Sequence, residues 1–599
     1  TGDIQITLDP SRADLGEEGY ELTVRPAGVR ITAREDAGLF YGGQTLRQLL
    51  PAAAWRKAPI EGVQWTAPAV RIVDRPRFGW RGLLLDPARH FIPLARVLEI
   101  IDAMAMHKLN RLQLHLTDDQ GWRVELPGFP LLTARSGWRS AAQPAIPADQ
   151  PHRYLRLPSG GFYSRADVRE IVAYAAARHI VVVPEIEMPA HSHAWLAAYP
   201  EFAVFPSGAA RLATSDPWGG GNEVIAPRPQ TMEACRRILK EIGELFPSRW
   251  IHTGGDEAPR DQWRESDEIQ KMIRSLGLKN EDELQAWFTA QLSRFVTAEG
   301  RRLIGWDEIL AGADLGGNGR DTSLSRDAIV MSWRGEDGGI AAAKAGHDVI
   351  MAPNNWTYLD YYQGPPAEEP LAIGGSVSLV RTYAYDPVPA VLPESAARHV
   401  LGAQTQVWGE YLAGAEAVNY MTFPRTCALA EAFWSPREGK SLNGFLGRLE
   451  EHLKRLDASG IAYRPLTKRT AWPDASGRVL ASPQDAVIHG TEVRREADGT
   501  LAGWKDQFTG IAWSVQLPKP GVYRARLLLK PAPAATDAWI EAVIAGQALR
   551  SPLRASADAL DLGTFKADRE GARVLFLNAG GKPGEDGFAG IRGVELIPE

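Results

Sequence analysis

The middle of the chain repeats one alternation, in which short apolar runs of strand length are followed by longer segments with helical periodicity. At Leu94, Val97, Leu98 and Ile101, for example, apolar residues recur at positions that share one face of a helix. Strands that alternate with helices are typical of a parallel sheet with crossover helices. Eight apolar runs occur in order, at residues 82–85, 111–116, 180–186, 250–253, 302–306, 329–333, 348–351 and 404–408. This α/β pattern predicts a (β/α)8 barrel.

The segments on either side of the barrel pattern follow other periods. In the first 75 residues, period-two alternation at 20–24 and 28–33 precedes a helical segment at 39–50, which predicts a small α/β domain. After residue 473 the helical signal disappears, and short apolar runs separated by Pro and Gly turns predict a β-sandwich. These runs lie at 513–517, 522–529, 539–544 and 573–576. We expect three domains, at residues 1–75, 76–470 and 475–599.

Composition excludes several classes of protein. Charged residues make up 23% and hydrophobic residues 44%, which is ordinary for a globular protein and excludes a disordered or coiled-coil chain. No run approaches 18 apolar residues, so we expect no membrane span, and the net charge of −6 argues against nucleic acid as the main ligand. Cys235 and Cys427 cannot form a disulfide framework, and we expect both to be buried.

The polar residues that follow the eight apolar runs are the candidates for chemistry. A (β/α)8 barrel builds its active site at the carboxyl ends of its strands. Nearly every run is followed by such a group: Asp86, Arg89, His115, Asp118, Asp119, Glu187, His191, Asp256, Glu257, Trp306, Trp333, Tyr358, Asp360, Trp408 and Glu410. The 19 Trp and 15 Tyr add flat apolar surfaces on which sugar rings stack.

The strongest single motif is an apolar run that ends in Gly254-Gly255-Asp256-Glu257. Consecutive side chains of a strand point to opposite faces, so the two carboxylates converge only if the glycines break the strand geometry. Two carboxylates close together in a dry pocket repel, and one of them then keeps its proton at neutral pH. The motif therefore offers one acid and one base, the pair that glycosidic cleavage needs.

This motif, preceded by His252, resembles the signature of glycoside hydrolase family 20, the β-N-acetylhexosaminidases. Other stretches resemble the family in the same order along residues 15–460. They are Arg81-Gly82-Leu83-Leu84-Leu85-Asp86-Pro87-Ala88-Arg89-His90-Phe91, His115-Leu116-Thr117-Asp118-Asp119-Gln120-Gly121-Trp122-Arg123, Pro184-Glu185-Ile186-Glu187-Met188-Pro189-Ala190-His191, Gly305-Trp306-Asp307-Glu308, Ser332-Trp333, Tyr358-Leu359-Asp360 and Trp408-Gly409-Glu410. The resemblance implies an exo-acting glycosidase that removes terminal β-linked GlcNAc or GalNAc from chitooligosaccharides or glycans.

The resemblance also implies a substrate-assisted retaining mechanism, in which the 2-acetamido oxygen of the substrate is the nucleophile. Glu257 would protonate the leaving oxygen and then deprotonate water, while Asp256 would orient the acetamido N–H and stabilise an oxazoline-like intermediate. Tyr358 would bind the acetamido oxygen, and Asp118 and His191 would form a supporting dyad near Glu257. The implied substrate-binding residues are Arg81, Trp306, Trp333, Asp360, Trp408 and Glu410. No metal and no cofactor are implied.

This chain departs from the family pattern at two positions. Glu187 stands where the family more commonly has Asp, and Ala190 stands where it commonly has Gly. The extra methylene of Glu187 shifts its expected contact with the acid or with His191.

Two other functions compete with the glycosidase. A metal-dependent barrel hydrolase would use His191 and His193, with His115 and Asp118 as further ligands. A non-catalytic glycan-binding protein would be expected to lack Asp256 or Glu257, yet both are present. For the C-terminal sandwich, Trp504, Trp513 and Trp539 form either a sugar-binding face or part of the core.

The sequence also gives an expectation for the compartment. The sequence begins Thr1-Gly2-Asp3, and a targeting peptide is not visible in it. We expect a periplasmic or secreted location rather than a cytoplasmic one.

Overall fold

A computed structural model describes residues 3–139, 159–209, 222–314, 321–530, 537–553, 558–584, 587–588 and 590–599. The chain divides into two compact units. The first comprises Thr1–Leu46, Ala69–Tyr358 and Asp386–Val418, and the second comprises Arg47–Pro68, Leu359–Tyr385 and Asn419–Glu599.

The first unit begins with a four-stranded sheet. Its strands are β1 (Asp3–Leu8), β2 (Tyr20–Arg25), β3 (Gly28–Ala33) and β4 (Val70–Asp74), in the spatial order β1-β3-β2-β4. Strand β1 runs parallel to β3, and the other pairs are antiparallel. The predicted strands β2 and β3 and the predicted helix, which spans Asp36–Leu49, are confirmed. Strands β1 and β4 complete the sheet and were not predicted.

Eight parallel strands of the first unit close into a barrel. They are β5 (Trp80–Leu85), β6 (Arg111–His115), β7 (Val181–Glu185), β8 (Trp250–His252), β9 (Arg302–Trp306), β10 (Ile329–Ser332), β11 (Val349–Met351) and β12 (Val400–Val407). Each overlaps one of the eight apolar runs, although β12 begins at Val400, ahead of its run at 404–408, and β12 pairs with β5 to complete the ring. The side chains of these strands are mostly buried, because helices cover the outer face and side chains fill the interior. The predicted (β/α)8 barrel is therefore confirmed.

Helices connect the barrel strands. The longer ones in the first unit are Leu94–Met106, Arg165–Ala176, Pro229–Leu245, Asp267–Ser275, Glu281–Ala298, Asp337–Lys344 and Ala415–Thr422, the last of which reaches the unit boundary. The apolar stripe predicted on the first of them is its buried face, as Val97 shows, and Val168 and Leu284 are buried on two of the others. Ser164 caps the helix Arg165–Ala176, because its side chain accepts from the Asp167 backbone N–H at 3.1 Å and the Asp167 side chain accepts from the Ser164 backbone N–H.

Segments rich in Pro, Gly and Ser predict long loops at 133–162, 201–230 and 363–396. The short helix Pro206–Ala209 lies within the second of these, and the short helices Leu131–Ser136 and His193–Ala198 follow β6 and β7. Parts of 133–162 and 201–230 lie outside the described residues. Asp261–Glu265 and Asn354–Thr357 are single turns after β8 and β11.

The second unit contains the predicted β-sandwich. One sheet joins Thr470–Ala471, Gly510–Leu517, Gly571–Gly580, Trp539–Ile544 and Gln547–Pro552, with Val487–His489 paired to Gly510–Leu517. The other joins Arg494–Arg495, Leu501–Ala502, Gly590–Pro598, Gly521–Lys530 and Ala559–Ala567, with Val479–Ala481 paired to Gly590–Pro598. Trp504 and Trp513 lie in the core between the sheets. Only Trp539 is partly exposed, and the Arg550 guanidinium covers its ring at 3.8 Å.

The helices of the second unit include Leu379–Ala384, Arg425–Trp434 and Leu442–Ser459. Cys427 lies in one of them and Cys235 lies in the first unit, and both are buried as predicted. Within the described parts of the chain, none of the helices combines the length and the apolar character that a bilayer crossing requires.

Candidate active site

The chain leaves strand geometry directly after β8. Gly254 and Gly255 have φ angles of 65° and 95°, a region that glycine adopts without steric cost. A Cβ on Gly254 would also overlap the carboxylate of Glu187, so this position has no room for a side chain. Glu257 itself has a φ of 46°, which is uncommon for a residue with a Cβ. The turn thus brings Asp256 and Glu257 to the carboxyl end of the barrel, as the two glycines predicted.

Both carboxylates meet one histidine. Nε2 of His191 lies 3.6 Å from Oδ2 of Asp256 and 3.6 Å from Oε2 of Glu257. The Asp256 side chain is 14% exposed and the Glu257 side chain is 55% exposed. The two neighbours therefore differ in solvation, with one carboxylate nearly dry and the other open to water. Such a difference separates the roles of two carboxylates that are adjacent in sequence.

The other ring nitrogen of His191 lies close to Asp118, its predicted dyad partner. Nδ1 of His191 lies 3.4 Å from Oδ1 of Asp118 and 3.7 Å from Oδ2 of Asp119. Burial alone would lower the pKa of His191, but the carboxylates of Asp118 and Asp256 raise it well above the usual value. The imidazole therefore carries a positive charge between the two pairs of acids at neutral pH.

Burial affects Asp256 and Glu187 in the same direction. It raises the pKa of Asp256, which the positive His191 lowers only in part. It also raises the pKa of Glu187, and the nearby carboxylates of Asp256 and Glu185 add to this rise. Both carboxyl oxygens of Glu187 and Oδ1 of Asp256 are buried without a hydrogen-bond partner among the described residues. The site therefore holds an unsatisfied acceptor on Asp256, ready for a donor on a ligand.

Aromatic side chains form a continuous wall beside these carboxylates. The ring of Trp408 lies 5.8 Å from that of Trp306 and 6.1 Å from that of Tyr358, between ring centres. Tyr358 is stacked at 6.1 Å on Trp333. Nε1 of Trp306 donates to Glu185 at 3.0 Å, which fixes its ring. Four of the predicted site residues thus form one apolar surface of the kind on which a sugar ring packs.

Arg89 lies between two acidic side chains and the Trp408 ring of this aromatic wall. Its guanidinium pairs with Asp86 at 3.0 Å and with Asp118 at 2.7 Å, and it lies 5.1 Å from the ring centre of Trp408. Burial raises the pKa of Glu410, and Arg89 opposes that rise. Oε2 of Glu410 is buried without a hydrogen-bond partner in the described part of the chain. Arg89 and Glu410 therefore add polar groups beside an apolar ring face, an arrangement suited to a polyhydroxylated ligand.

The barrel, the paired carboxylates and the aromatic wall agree with the comparisons to known proteins. Residues 78–437 match the family described as glycosyl hydrolase family 20, catalytic domain, and residues 1–75 match glycosyl hydrolase family 20, domain 2. The chain belongs to glycosyl hydrolase family 20.

Individual relatives of the family-20 chain carry matching names. It is 42% identical over 483 residues to a β-hexosaminidase of Porphyromonas gingivalis. That match covers 80% of this chain and 58% of the P. gingivalis protein. It is 35% identical over 454 residues to a β-hexosaminidase of Akkermansia muciniphila, covering 75% and 86%. A solved exo β-N-acetylglucosaminidase from Vibrio harveyi, in complex with N-acetylglucosamine, is 31% identical with a TM-score of 0.65, covering 78% and 70%. The predicted family and glycosidase class are confirmed.

The structure does not bring Arg81 to this family-20 site, which corrects one sequence prediction. Arg81 is the second residue of β5, so it lies near the amino end of the barrel rather than at the carboxyl end. Its guanidinium pairs with Glu18 at 2.7 Å and also donates to the backbone oxygens of Phe78 and Lys108. Burial alone would raise the pKa of Glu18, but Arg81 lowers it below the usual value. Arg81 is therefore part of a buried ion pair, and Arg89 is the arginine of this segment that lies in the site.

We expect Arg81→Met to affect stability and not substrate binding. The substitution leaves the largely buried Glu18 carboxylate without its cation, a loss that costs about 3–5 kcal/mol. The free energy of unfolding in urea should fall by that amount, while the KM of the folded enzyme should stay unchanged.

A matched control is Arg71→Met, which removes the exposed ion pair of Arg71 with Glu21 at 2.8 Å. Exposed pairs contribute about 0–1 kcal/mol, so this variant should unfold almost like the parent. A raised KM in Arg81→Met with unchanged stability would restore Arg81 to the substrate site.

Two acidic residues near the site were not given roles by the sequence. Glu308 accepts from Nε1 of Trp333 at 2.9 Å, and burial together with Asp256 raises the pKa of Glu308 to about 8. Glu185 accepts from Trp306 and from Gln113 at 2.8 Å. Both fall within the quoted family-like motifs, but their contacts are made to residues distant in sequence. Asp360 belongs to the second unit and is buried, and its sugar-binding role stays a prediction.

The histidines of the competing metal hydrolase have separate partners. His191 faces Asp256 and Glu257, whereas Nδ1 of His193 faces Glu223 at 3.1 Å. The ligand atoms of His115, Glu185 and Glu187 lie within 4.8 Å of one another, but carboxylates already occupy both nitrogens of His115. An imidazole bonded at both nitrogens has no lone pair for a metal. The residues of this cluster therefore do not fit a metal ion.

Proposed function

We propose that this family-20 chain removes terminal non-reducing β-linked N-acetylhexosamine by substrate-assisted catalysis with retention of configuration. One observation carries the proposal. The mostly buried carboxylate of Asp256 and the exposed carboxylate of Glu257 both lie 3.6 Å from Nε2 of His191, beside the aromatic wall. The V. harveyi relative, solved in complex with N-acetylglucosamine, supports this choice of sugar.

In the first step the acetamido carbonyl oxygen attacks the anomeric carbon as the bond to the leaving oxygen breaks. Glu257 supplies the proton that the leaving oxygen takes up, because its exposed carboxyl exchanges protons with water. Asp256 accepts from the acetamido N–H with its unsatisfied oxygen and faces the positive charge of the oxazoline-like intermediate. Tyr358 lies on the same wall and donates to the acetamido oxygen, which holds it in attack geometry.

In the second step water attacks the anomeric carbon and reopens the oxazoline-like ring. Glu257, now a carboxylate, takes the proton of that water and returns to its starting form. Trp306, Trp333 and Trp408 exclude bulk water from the reacting centre and bind the apolar face of the sugar. The product keeps the β configuration because two successive displacements occur at one carbon.

The acetamido group provides the test of this mechanism. An aryl β-GlcNAc should be hydrolysed, whereas the matching aryl β-glucoside lacks the nucleophile and should react at least about a thousandfold more slowly. A thiazoline that copies the cyclic intermediate should bind far more tightly than substrate. Comparable rates on the two glycosides would contradict substrate assistance, and loss of activity in a strong chelator would favour a metal-dependent hydrolase.

Direct measurements identify the natural substrate and the compartment. Rates on aryl β-GlcNAc, aryl β-GalNAc, chitobiose and an N-glycan would rank the candidate substrates. The periplasmic or secreted location stays a prediction that cell fractionation tests. Binding of the second unit's sandwich to chitin likewise stays a prediction, and of its three tryptophans only Trp539 is partly exposed.

A further inference from the structure

A second histidine is clamped between two buried carboxylates beneath the site. Nδ1 of His115 lies 2.7 Å from Oε2 of Glu185, and Nε2 lies 2.8 Å from Oδ2 of Asp118. All three side chains are at most 1% exposed. A ring nitrogen bonds to a carboxylate oxygen by donating a proton to it, since an ionised carboxylate only accepts. Two such bonds require protons on both nitrogens, so His115 is an imidazolium.

The charges around His115 agree with that assignment. Burial alone would lower the pKa of His115, but Glu185 and the hydrogen bond to Asp118 raise it to about 10. The Asp118 and Glu185 carboxylates in turn have pKa values far below the usual range. At Asp118 the charge of Arg89 outweighs the effect of burial, and at Glu185 His252 and His115 outweigh it. His115 is thus held as a cation by groups that are themselves held as anions.

The chain of contacts continues from His115 to the reacting carboxylates. Oδ2 of Asp118 bonds to His115, and Oδ1 lies 3.4 Å from Nδ1 of His191. Nε2 of His191 then lies 3.6 Å from both Asp256 and Glu257. Carboxylates and imidazoles therefore alternate from Glu185 to Glu257, and each charge is flanked by charges of the opposite sign.

We propose that His115 is a positioning residue for the acid–base step, which acts by keeping Asp118 ionised and aimed at His191. This inference rests on the proposed function only for its kinetic test. No proton travels along the chain of contacts, since His115 keeps both of its protons throughout the reaction. The imidazolium instead supplies one fixed positive charge beneath Asp256 and Glu257.

Other groups also face His115. From the segment after β7, Oε1 of Glu187 lies 3.9 Å from Nδ1. From the segment after β5, the Asp86 carboxylate favours the charged form, and Arg89 shares Asp118. The Trp408 ring packs against the imidazole in a T-shaped contact, with 5.0 Å between ring centres. The acids outnumber the cations around His115, which sustains its charge.

The first test measures the protonation state of His115 in the unaltered enzyme and does not depend on the enzyme being active. Nitrogen NMR of the full chain with 15N-labelled histidine, assigned by comparison with His115→Gln, should show both nitrogens of His115 protonated from pH 6 to about 9. A His115 signal that titrates near pH 6.5 or below would overturn the proposal, whatever the enzyme hydrolyses.

The second test is the pH dependence of kcat/KM for His115→Gln on an aryl β-GlcNAc. Removing a positive charge makes every nearby acid weaker, so the pKa values that limit the acid and the alkaline sides of the profile should both rise. We expect a rise of about one pH unit, the size of the effect of one buried charge at roughly 10 Å. The kcat should fall about tenfold or more with little change in KM. A loss of kcat with an unmoved pH profile would show a structural role only.

The double variant His115→Gln with Glu185→Gln gives the decisive comparison. Glu185→Gln alone removes a negative charge, so its pH profile should move to lower pH or stay in place. The double variant removes one charge of each sign, and its profile should return toward that of the parent although kcat stays low. Profiles that move to higher pH in both the His115 variant and the double variant would contradict the charge-based role.

A matched control is His347→Gln, since His347 is equally buried but lies outside the chain of contacts that leads to the reacting carboxylates, with its Nδ1 at 3.3 Å from the backbone oxygen of Ala328. It should leave the pH profile unmoved. Thermal unfolding of each variant separates loss of fold from loss of function, and an inactive parent enzyme would contradict the proposed function while leaving the NMR test intact.

Discussion

Glu257→Gln should lose about a thousandfold or more in kcat/KM on chitobiose, because the leaving sugar can no longer be protonated as its bond breaks. An aryl glycoside with a strongly acidic phenol needs no protonation, so its first step should slow by less than about tenfold. The ratio of the two losses, measured in parallel assays, reports general-acid catalysis by this side chain. The thermal stability should not change, since the Glu257 side chain is 55% exposed.

The control for this prediction is Glu265→Gln, on the exposed side of the single helical turn Asp261–Glu265. It makes the same chemical change close to the site along the chain and should leave both rates unaltered. Equal losses of Glu257→Gln on the two substrates would show that Glu257 is not the acid.

The barrel could be predicted from the sequence because its strands are buried on both faces. Such strands read as continuous apolar runs, which are visible without any knowledge of their neighbours. All eight runs became strands β5 to β12. In the small N-terminal sheet, by contrast, Asp3–Leu8 alternates polar and apolar residues, yet every residue of β1 is exposed, so its pattern does not mark a buried face. Its place in the sheet depends on backbone pairing with β3, which the sequence does not reveal.

Most of the candidate site could also be predicted, because its residues lie at the ends of the barrel strands. The carboxyl ends of eight parallel strands meet at one end of the barrel, so Asp256, His191 and Trp408 could be predicted to lie together. Arg81 shows how far a resemblance between motifs can mislead. It stands at the start of β5, where its partner is Glu18, whereas Arg89 follows the strand and lies against Trp408.

The charges beneath the site could not be predicted. His115 and Glu185 are 70 residues apart in sequence, and their contact exists only because β6 and β7 pair in a register that places the two residues side by side. The same holds for Trp306 and Glu185, which come from β9 and β7. Sequence spacing within one motif carries information about neighbours on the same strand, but not about which side chains meet across the barrel.

Asp256→Asn should lower kcat by about a hundredfold or more, on the order of 3 kcal/mol in the barrier, with a smaller effect on KM. The amide keeps the shape of the side chain but can present N–H groups to the acetamido N–H, which places donor against donor. The carboxylate also faces charge that appears only as the intermediate forms, so its loss affects the transition state more than the ground state. Steady-state kinetics on an aryl β-GlcNAc measure both constants.

The same substitution should not destabilise the protein. Burial raises the pKa of Asp256 above its unfolded value, so ionisation of this group opposes folding once the pH exceeds the unfolded pKa. A neutral amide removes that cost, and Tm at neutral pH should stay the same or rise, with the difference vanishing in acid. A lower Tm would mean that the attraction between His191 and Asp256 outweighs the burial of the carboxylate.

Tyr358→Phe provides the partner for a double-variant cycle. It removes one hydrogen bond to the acetamido oxygen and should cost less than Asp256→Asn. Because both side chains hold one acetamido group, losing either leaves the other with a poorly placed nucleophile, and the two losses in kcat should not add. Strictly additive losses, or near-normal kcat in Asp256→Asn, would show that this carboxylate does not position the nucleophile.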